Sequence, residues 1–220
     1  MKIMAITDLH GDVGKIAKAT NEISAVDLVL LVGDTTFFGR SQDILDIIEI
    51  ISRINPRILV VPGNCDFPET EEALNQIGLS ISSQYKIIEG KAFVGLGASL
   101  ATPSGGTPYE VTDEHLGEQL KKAVLDLQPD IPMILVSHQP PINTSADDLG
   151  NGVHVGSSKV REFIESRTPL ICFTGHIHEG IGIDSIGDTK IINPGPMYEE
   201  RYAYAEISDK VDTLEIRSIY

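Results

Sequence analysis

Cysteine is scarce: 220 residues contain two, Cys65 and Cys172. Two separate thiols build no disulfide framework, and there is no thiolate-rich cluster for a closed structural zinc site. Long apolar runs are missing too. No stretch approaches the ~18 consecutive apolar residues of a membrane span. The first apolar stretch follows a single Lys and is broken by Asp8, unlike a signal peptide. A cytoplasmic protein with no membrane partner is expected. Positive charge is in deficit, with 17 Lys and Arg against 32 Asp and Glu and a formal net charge of −15. Such a surface repels a long polyanion, so nucleic acid is disfavoured as a partner. No glycine-rich phosphate loop follows the first apolar run, which argues against a dinucleotide fold. Internal repeats and low-complexity segments are absent.

What is present suits a globular domain. Hydrophobic residues make up 41% and charged residues 22%, ordinary values for a folded chain. The length fits a single domain spanning 1–220. Apolar runs that read as buried strands are Lys2 to Thr7, Val26 to Val32, Arg57 to Val61, Pro132 to Ser137 and Leu170 to Thr174. Tyr85 to Ile88 and Ala92 to Leu96 form a further pair about a Glu-Gly turn. Helical spacing links Val13, Ile16, Ala17, Thr20 and Ile23 behind an Asp12 cap. A second helix, capped by Ser41, buries Ile44, Leu45, Ile47, Ile48 and Ile51. Glu69 to Ile77 is a short acidic helix stopped at Gly78. Thr112 and Ser157 open two more helices. The last third is mostly β: Gly180 to Ile186, Lys190 to Ile192, Ala203 to Ser208 and Val211 to Ser218. This order predicts an α/β core of two packed sheets rather than one doubly wound sheet.

Five strand ends carry the same chemistry: Asp8 with His10, Asp34, Asn64, His138, and His176 with His178. Positions i and i+2 of extended backbone point the same way, so Asp8 and His10 are expected to face one point, as are His176 and His178. Strand ends of layered α/β folds share an edge where sites form. Three oxygen donors and four imidazoles exceed one tetrahedral ion and suit two, if a carboxylate bridges. The donor mixture suits Mn²⁺, Fe²⁺, Co²⁺, Ni²⁺ or Zn²⁺. Two such ions would leave the site positive inside an acidic protein and attract a small phosphorylated substrate.

Asp8-x-His10, Gly33-Asp34, Gly63-Asn64-x-Asp66, His138 and Gly175-His176-x-His178, in this order, resemble the calcineurin-like metallophosphoesterases over nearly the whole chain, to about Pro196. The resemblance implies a four-layer double β-sandwich flanked by helices. It implies that Asp8, His10 and His178 hold one divalent ion, that Asn64, His138 and His176 hold the other, and that Asp34 bridges them. Manganese is the first expectation for the pair. The implied reaction is hydrolysis of a phosphate ester by a metal-bridging hydroxide, with Asp34, Asn64 and His176 in catalytic roles. Many members carry Gly-Asn-His-Asp or Gly-Asn-His-Glu, where this chain has Cys65. A neutral thiol is a poor substitute for an imidazolium. The sequence therefore resembles the smaller bacterial and archaeal branch with Gly-Asn-Cys-Asp, and a phosphodiesterase is expected before a monoesterase. A nuclease and a metal-bearing scaffold are the rival expectations, and a homo-oligomer is left open.

Further residues carry narrower expectations. His154, just before the helix opened by Ser157, is a candidate phosphate contact or replacement acid, against the plainer reading of a surface loop histidine. Asp66 is expected to orient a ligand. Arg40 is a candidate phosphate contact, and His115 is expected to face solvent. Asn193-Pro194-Gly195-Pro196 is a turn either near the site or plain. Ser99 to Pro108 and the long 139–156 loop are candidates for the substrate rim.

Overall fold

A computed structural model describes residues 1–102 and 105–219. Pro103 and Ser104, inside the expected rim loop, lie outside the described residues. Among the described residues eleven strands form two mixed sheets. The first sheet contains β1 (Lys2–Ile6), β2 (Leu28–Val32), β3 (Ile58–Val61), β10 (Arg201–Ile207) and β11 (Val211–Ser218), in the order β11-β10-β1-β2-β3. The second contains β4 (Tyr85–Ile88), β5 (Lys91–Leu96), β6 (Met133–Ser137), β7 (Ile171–Thr174), β8 (Gly182–Ile186) and β9 (Thr189–Asn193), in the order β4-β5-β6-β7-β9-β8. The centre of each sheet is parallel: β1, β2 and β3 in one, β5, β6, β7 and β9 in the other. Antiparallel strands complete the edges.

The central strands are apolar on both faces because both faces are buried. In β1, Ile3 and Ala5 join the core between the sheets with Leu30, Val61, Phe93, Val136 and Phe173. Met4 and Ile6 point the other way, onto Ile16, Ile44, Ile48 and Ile51 of the helical layer. In the second sheet Val94, Leu135 and Cys172 meet Leu116, Leu120, Val160 and Ile164. The expected four layers are therefore observed. Phe93 and Phe173 lie fully buried between the sheets, each worth about 1.5–3 kcal/mol of transfer free energy.

Among the described residues six α-helices cover the outer faces: α1 (Val13–Lys18), α2 (Thr20–Ser24), α3 (Ser41–Ser52), α4 (Glu69–Gln76), α5 (Asp113–Ala123) and α6 (Ser158–Arg167). Asp12, Thr112 and Ser157 accept from the backbone N–H of Gly14, His115 and Val160, as capping residues should. Two expectations are corrected. The helix expected to run unbroken to Ile23 divides at Ala19, where the Thr20 hydroxyl donates to the Ala17 carbonyl. Ser41 is the first helical residue rather than the cap, and the Asp43 carboxylate instead accepts from the Arg40 N–H at 2.7 Å. His115 faces solvent as expected. Among the described residues no helix is long and apolar enough to cross a membrane.

The 139–156 loop is built round Asp147, which is fully buried. It accepts from the N–H groups of Asn143 (3.2 Å), Thr144 (2.8 Å) and Gly156 (2.9 Å), and from His154 Nδ1 at 2.8 Å. The Asp147 bond raises the His154 pKa above its ordinary value, outweighing desolvation. A raised histidine pKa contributes stability fully below the unfolded value of about 6.5, and that stability is lost as pH rises through the folded value. Replacing His154→Gln should therefore lower the urea midpoint more at pH 5.5 than at pH 9, and equal losses at both would exclude the ion pair.

Candidate metal centre

The seven donors predicted from the sequence meet at one edge of the sandwich, where β1, β2 and β3 of one sheet and β6 and β7 of the other end. His178 Nε2 lies 3.3 Å and His10 Nε2 4.0 Å from Asp8 Oδ1. Asp34 presents its two oxygens to opposite sides, Oδ1 3.4 Å from His138 Nε2 and Oδ2 3.9 Å from His10 Nε2. Asn64 Oδ1 lies 2.9 Å from His138 Nε2. The His176 ring stands 5.2 Å from that of His138. Three overlapping groups bring ligand atoms within 4.8 Å of one another: Asp8, His10 and His178; Asp8, Asp34 and His138; and His10, Asp34 and Cys65.

The route by which the side chains converge differs from the pleat argument. β1 stops at Ile6, and Asp8 and His10 adopt left-handed backbone with φ of 52° and 49°. Asp34 and His176 do the same, with φ of 47° and 67°. The chain leaves the extended conformation because the N–H groups of Asp8, His10 and Gly11 bond the carbonyls of Gly33, Asp34 and Thr35. Each such residue costs about 1–3 kcal/mol, a strain found where surroundings impose it and commonly at sites. The glycines before Asp34, Asn64 and His176 serve close approach. A Cβ on Gly33 would overlap the His138 ring, one on Gly63 the Asp34 carboxylate, and one on Gly175 the Thr7 hydroxyl.

Lone pairs face one another here without a proton between them. Asp8 Oδ2 accepts from the Thr7 hydroxyl at 2.6 Å and the His176 N–H at 3.2 Å. Asp8 Oδ1 is buried with no hydrogen-bond partner. His138 Nδ1 lies 2.9 Å from the Val32 carbonyl, which can only accept. In the neutral ring Nε2 is therefore a bare lone pair, and it faces the Asn64 carbonyl oxygen. Burial and the Asp8 and Asp66 charges push the Asp34 carboxyl up to about 7, against the His138 ring. Burial opposes ionisation of Asp8 as well, but His178 and His138 hold it below the carboxylate range. Burial pushes His176 down to about 3 and lowers His10 too, whereas Asp8 overcomes burial to raise His178. A cation among these donors would satisfy Asp8 Oδ1, separate His138 from Asn64 and let both carboxylates ionise, so the donor set fits divalent metal.

Supporting residues are firmly placed. Asp66, fully buried, accepts from the N–H groups of Thr35, Thr36 and Gly63 and from the Thr36 hydroxyl, tying the Asp34 loop to the Asn64 loop. Asn193 donates to the Ile177 carbonyl at 2.8 Å, so the Asn-Pro-Gly-Pro turn does border the site. Tyr198, just beyond that turn, brings its hydroxyl to 2.9 Å from His178 Nδ1. Sequence reasoning missed Tyr198 and Thr7; adjacency to Asp8 was the only signal for Thr7, and the nearby turn for Tyr198. Gln139, also missed, accepts from the Leu100 N–H and donates to the Val155 carbonyl, joining both expected rim loops. Cys65 donates its backbone N–H to Asp34 Oδ1 at 2.7 Å, while burial and the Asp34 and Asp66 charges push its thiol far up. Both effects disfavour the thiolate that a nucleophile would need. His154 is exposed and bonded to Asp147, with no hydrogen bond to the cluster. Arg40, a candidate phosphate contact, is instead engaged with Glu69 at 3.2 Å and lies over the Phe67 ring.

Comparison with known proteins agrees with this edge. The family model described as calcineurin-like phosphoesterase matches residues 1–180. The chain is 41% identical over 203 residues to the uncharacterized protein MJ1162 of Methanocaldococcus jannaschii, covering 89% of this chain and 88% of that protein. Solved structures share the fold. The protein TT1561 of Thermus thermophilus superposes with a TM-score of 0.79 at 20% identity, covering 100% and 99% of the two chains. A structure described as a novel archaeal phosphodiesterase gives 0.58 at 18% identity, covering 99% of each. The motif order, the four layers and the family match together make this chain a member of the calcineurin-like phosphoesterase family, whose members are metal-dependent phosphoric ester hydrolases.

Proposed function

We propose that the protein hydrolyses a small phosphodiester with two divalent ions, manganese first among them. One observation carries the reading: seven donor side chains from five strand ends converge, with Asp8 Oδ1 buried without a partner and His138 Nε2 facing the Asn64 carbonyl oxygen. Asp8, His10 and His178 would hold one ion, and Asn64, His138 and His176 the other. The two oxygens of Asp34, turned to opposite sides of the cluster, support a bridging role. When bound, the ions would neutralise phosphate charge and acidify a water to serve as nucleophile. The chain's own groups do the positioning. Thr7 and the His176 N–H hold one oxygen of Asp8 so that the other points inward. The Val32 carbonyl fixes the His138 tautomer, and Asp66 keeps the Asp34 and Asn64 loops in register.

The diester preference rests on Cys65. Its thiol, kept protonated by burial and by Asp34 and Asp66, is a weak donor where an imidazolium would protonate a departing alkoxide. Esters whose leaving group is stable as an anion are favoured. The net charge of −15 supports a small substrate over a nucleic acid.

Asp34→Asn should abolish manganese uptake in equilibrium dialysis together with hydrolysis; turnover at the wild-type rate would refute the bridging role. Tyr198→Phe keeps the ring but frees His178 Nδ1, and should weaken manganese affinity about tenfold in a chelator competition. With p-nitrophenyl esters and added manganese, the diester should show the higher kcat/KM, and a strong monoester preference would reverse that assignment.

A further inference from the structure

The loop after Asp34 sets two phenyl rings in water beside the cluster. Phe37 and Phe38 are 64% and 43% exposed, with ring centroids 4.6 Å apart. Phe37 meets the His10 ring edge-on at 5.6 Å. Phe38 holds a φ of 56°, an unfavourable conformation for a bulky aromatic residue. The loop is nevertheless fastened at both ends. Asp66 takes the Thr36 N–H and hydroxyl, the Cys65 carbonyl takes the Phe38 N–H at 2.9 Å, and the Thr36 hydroxyl takes the Gly39 N–H at 3.1 Å. Strained backbone and exposed phenyl faces are both unfavourable in the protein alone, which points to something they receive.

Between this loop and α3 lies an open cavity of about 420 Å³, lined by His10, Phe37, Phe38, Asp43, Asp46 and Ile47. Asp43 gives one oxygen to the Arg40 N–H and Asp46 one to Gln42, each at 2.7 Å. Neither carboxylate pairs with a Lys or Arg among the described residues. We propose that this cavity is the subsite for one alcohol of the phosphodiester, and that the alcohol is a nucleoside. Its planar base lies against Phe37 and Phe38 and turns ring N–H groups toward Asp43 and Asp46. The inference rests on the phosphodiesterase reading, since His10 is shared by cavity and metal cluster. Stacking is sequence-tolerant because every base has a π-face, and carboxylates accept from N–H donors. An anionic alcohol would be repelled by the two aspartates. An ammonium-bearing alcohol would be drawn to them but opposed by any divalent ion that His10 held, whereas a neutral base would meet no such opposition.

Three p-nitrophenyl diesters sharing one leaving group test this: those of thymidine 5′-phosphate, phosphocholine and methyl phosphate, assayed with manganese. The thymidine ester should have the highest kcat/KM. Phe37→Ala should lower the thymidine-to-methyl ratio of kcat/KM about tenfold, as loss of one stacking partner implies. A preference for the choline ester, or an unchanged ratio, would overturn the proposal. Calorimetry on the manganese-loaded protein gives a readout independent of turnover. Thymidine 5′-monophosphate should bind about tenfold more tightly than inorganic phosphate to wild type, the margin that one good stacking contact supplies, and lose that margin in Phe37→Ala. Equal affinities in wild type would overturn the nucleoside subsite. If no ester is hydrolysed while the margin persists, the hydrolysis reading fails and the subsite stands.

Discussion

Two buried carboxylates, Asp8 and Asp34, share a site with no Lys or Arg against either among the described residues. Burial opposes both charges, yet His178 and His138 hold Asp8 below the carboxylate range, while Asp8 and Asp66 join burial in pushing Asp34 up to about 7. Both are buried, and among the described residues histidines are the only side chains able to carry positive charge beside them. The neighbourhood is arranged so that they stay. Thr7 and the His176 N–H hold one, and the Cys65 N–H holds the other. An arrangement that disfavours the metal-free state is what makes a divalent cation bind well, because the cation removes the repulsion as it enters.

Holding that arrangement costs backbone strain at Asp8, His10, Asp34 and His176, and the core offsets it. Parallel central strands buried on both faces deliver their C-terminal ends to one edge. Glycines there let one loop's backbone approach another loop's side chain. Asp66 and Asn193 then bond the loops across the gaps. The 3-10 turn Met197–Glu199 joins from the far end of the chain, with the Met197 N–H on the Thr7 carbonyl and the Tyr198 hydroxyl on His178. Rigidity at the edge thus comes from hydrogen bonds between loops, each loop anchored to a strand that cannot move without opening a core.

Much of this was legible in the chain. Apolar runs without alternation marked strands covered on both sides, and Asp12, Thr112 and Ser157 marked helix starts because their side chains satisfy free N–H groups. The donors stood out because each followed such a run. The misses have local causes. A strand persisting through Asp8 and His10 would align them by its pleat, but pairing with the Gly33–Thr35 backbone turns the chain left-handed. The first helix broke where a threonine hydroxyl competed for a carbonyl. The partners of Arg40, Glu69 and Phe67, lie beyond its sequence neighbourhood and were not legible in the chain.

By itself the sequence determined the layers and the chemistry. Burial periodicity depends on side-chain polarity alone, and which atoms can bind a cation depends on residue type. Only the tertiary structure decided which lone pair faces which. Asp8 and His178 lie 170 positions apart, yet stand 3.3 Å from each other. Asp34 turns one oxygen to His138 and the other to His10. These relations are set by loop hydrogen bonds between segments that have no sequence neighbourhood. They come into being only when two sheets close on a common core and bring their strand ends to the same edge.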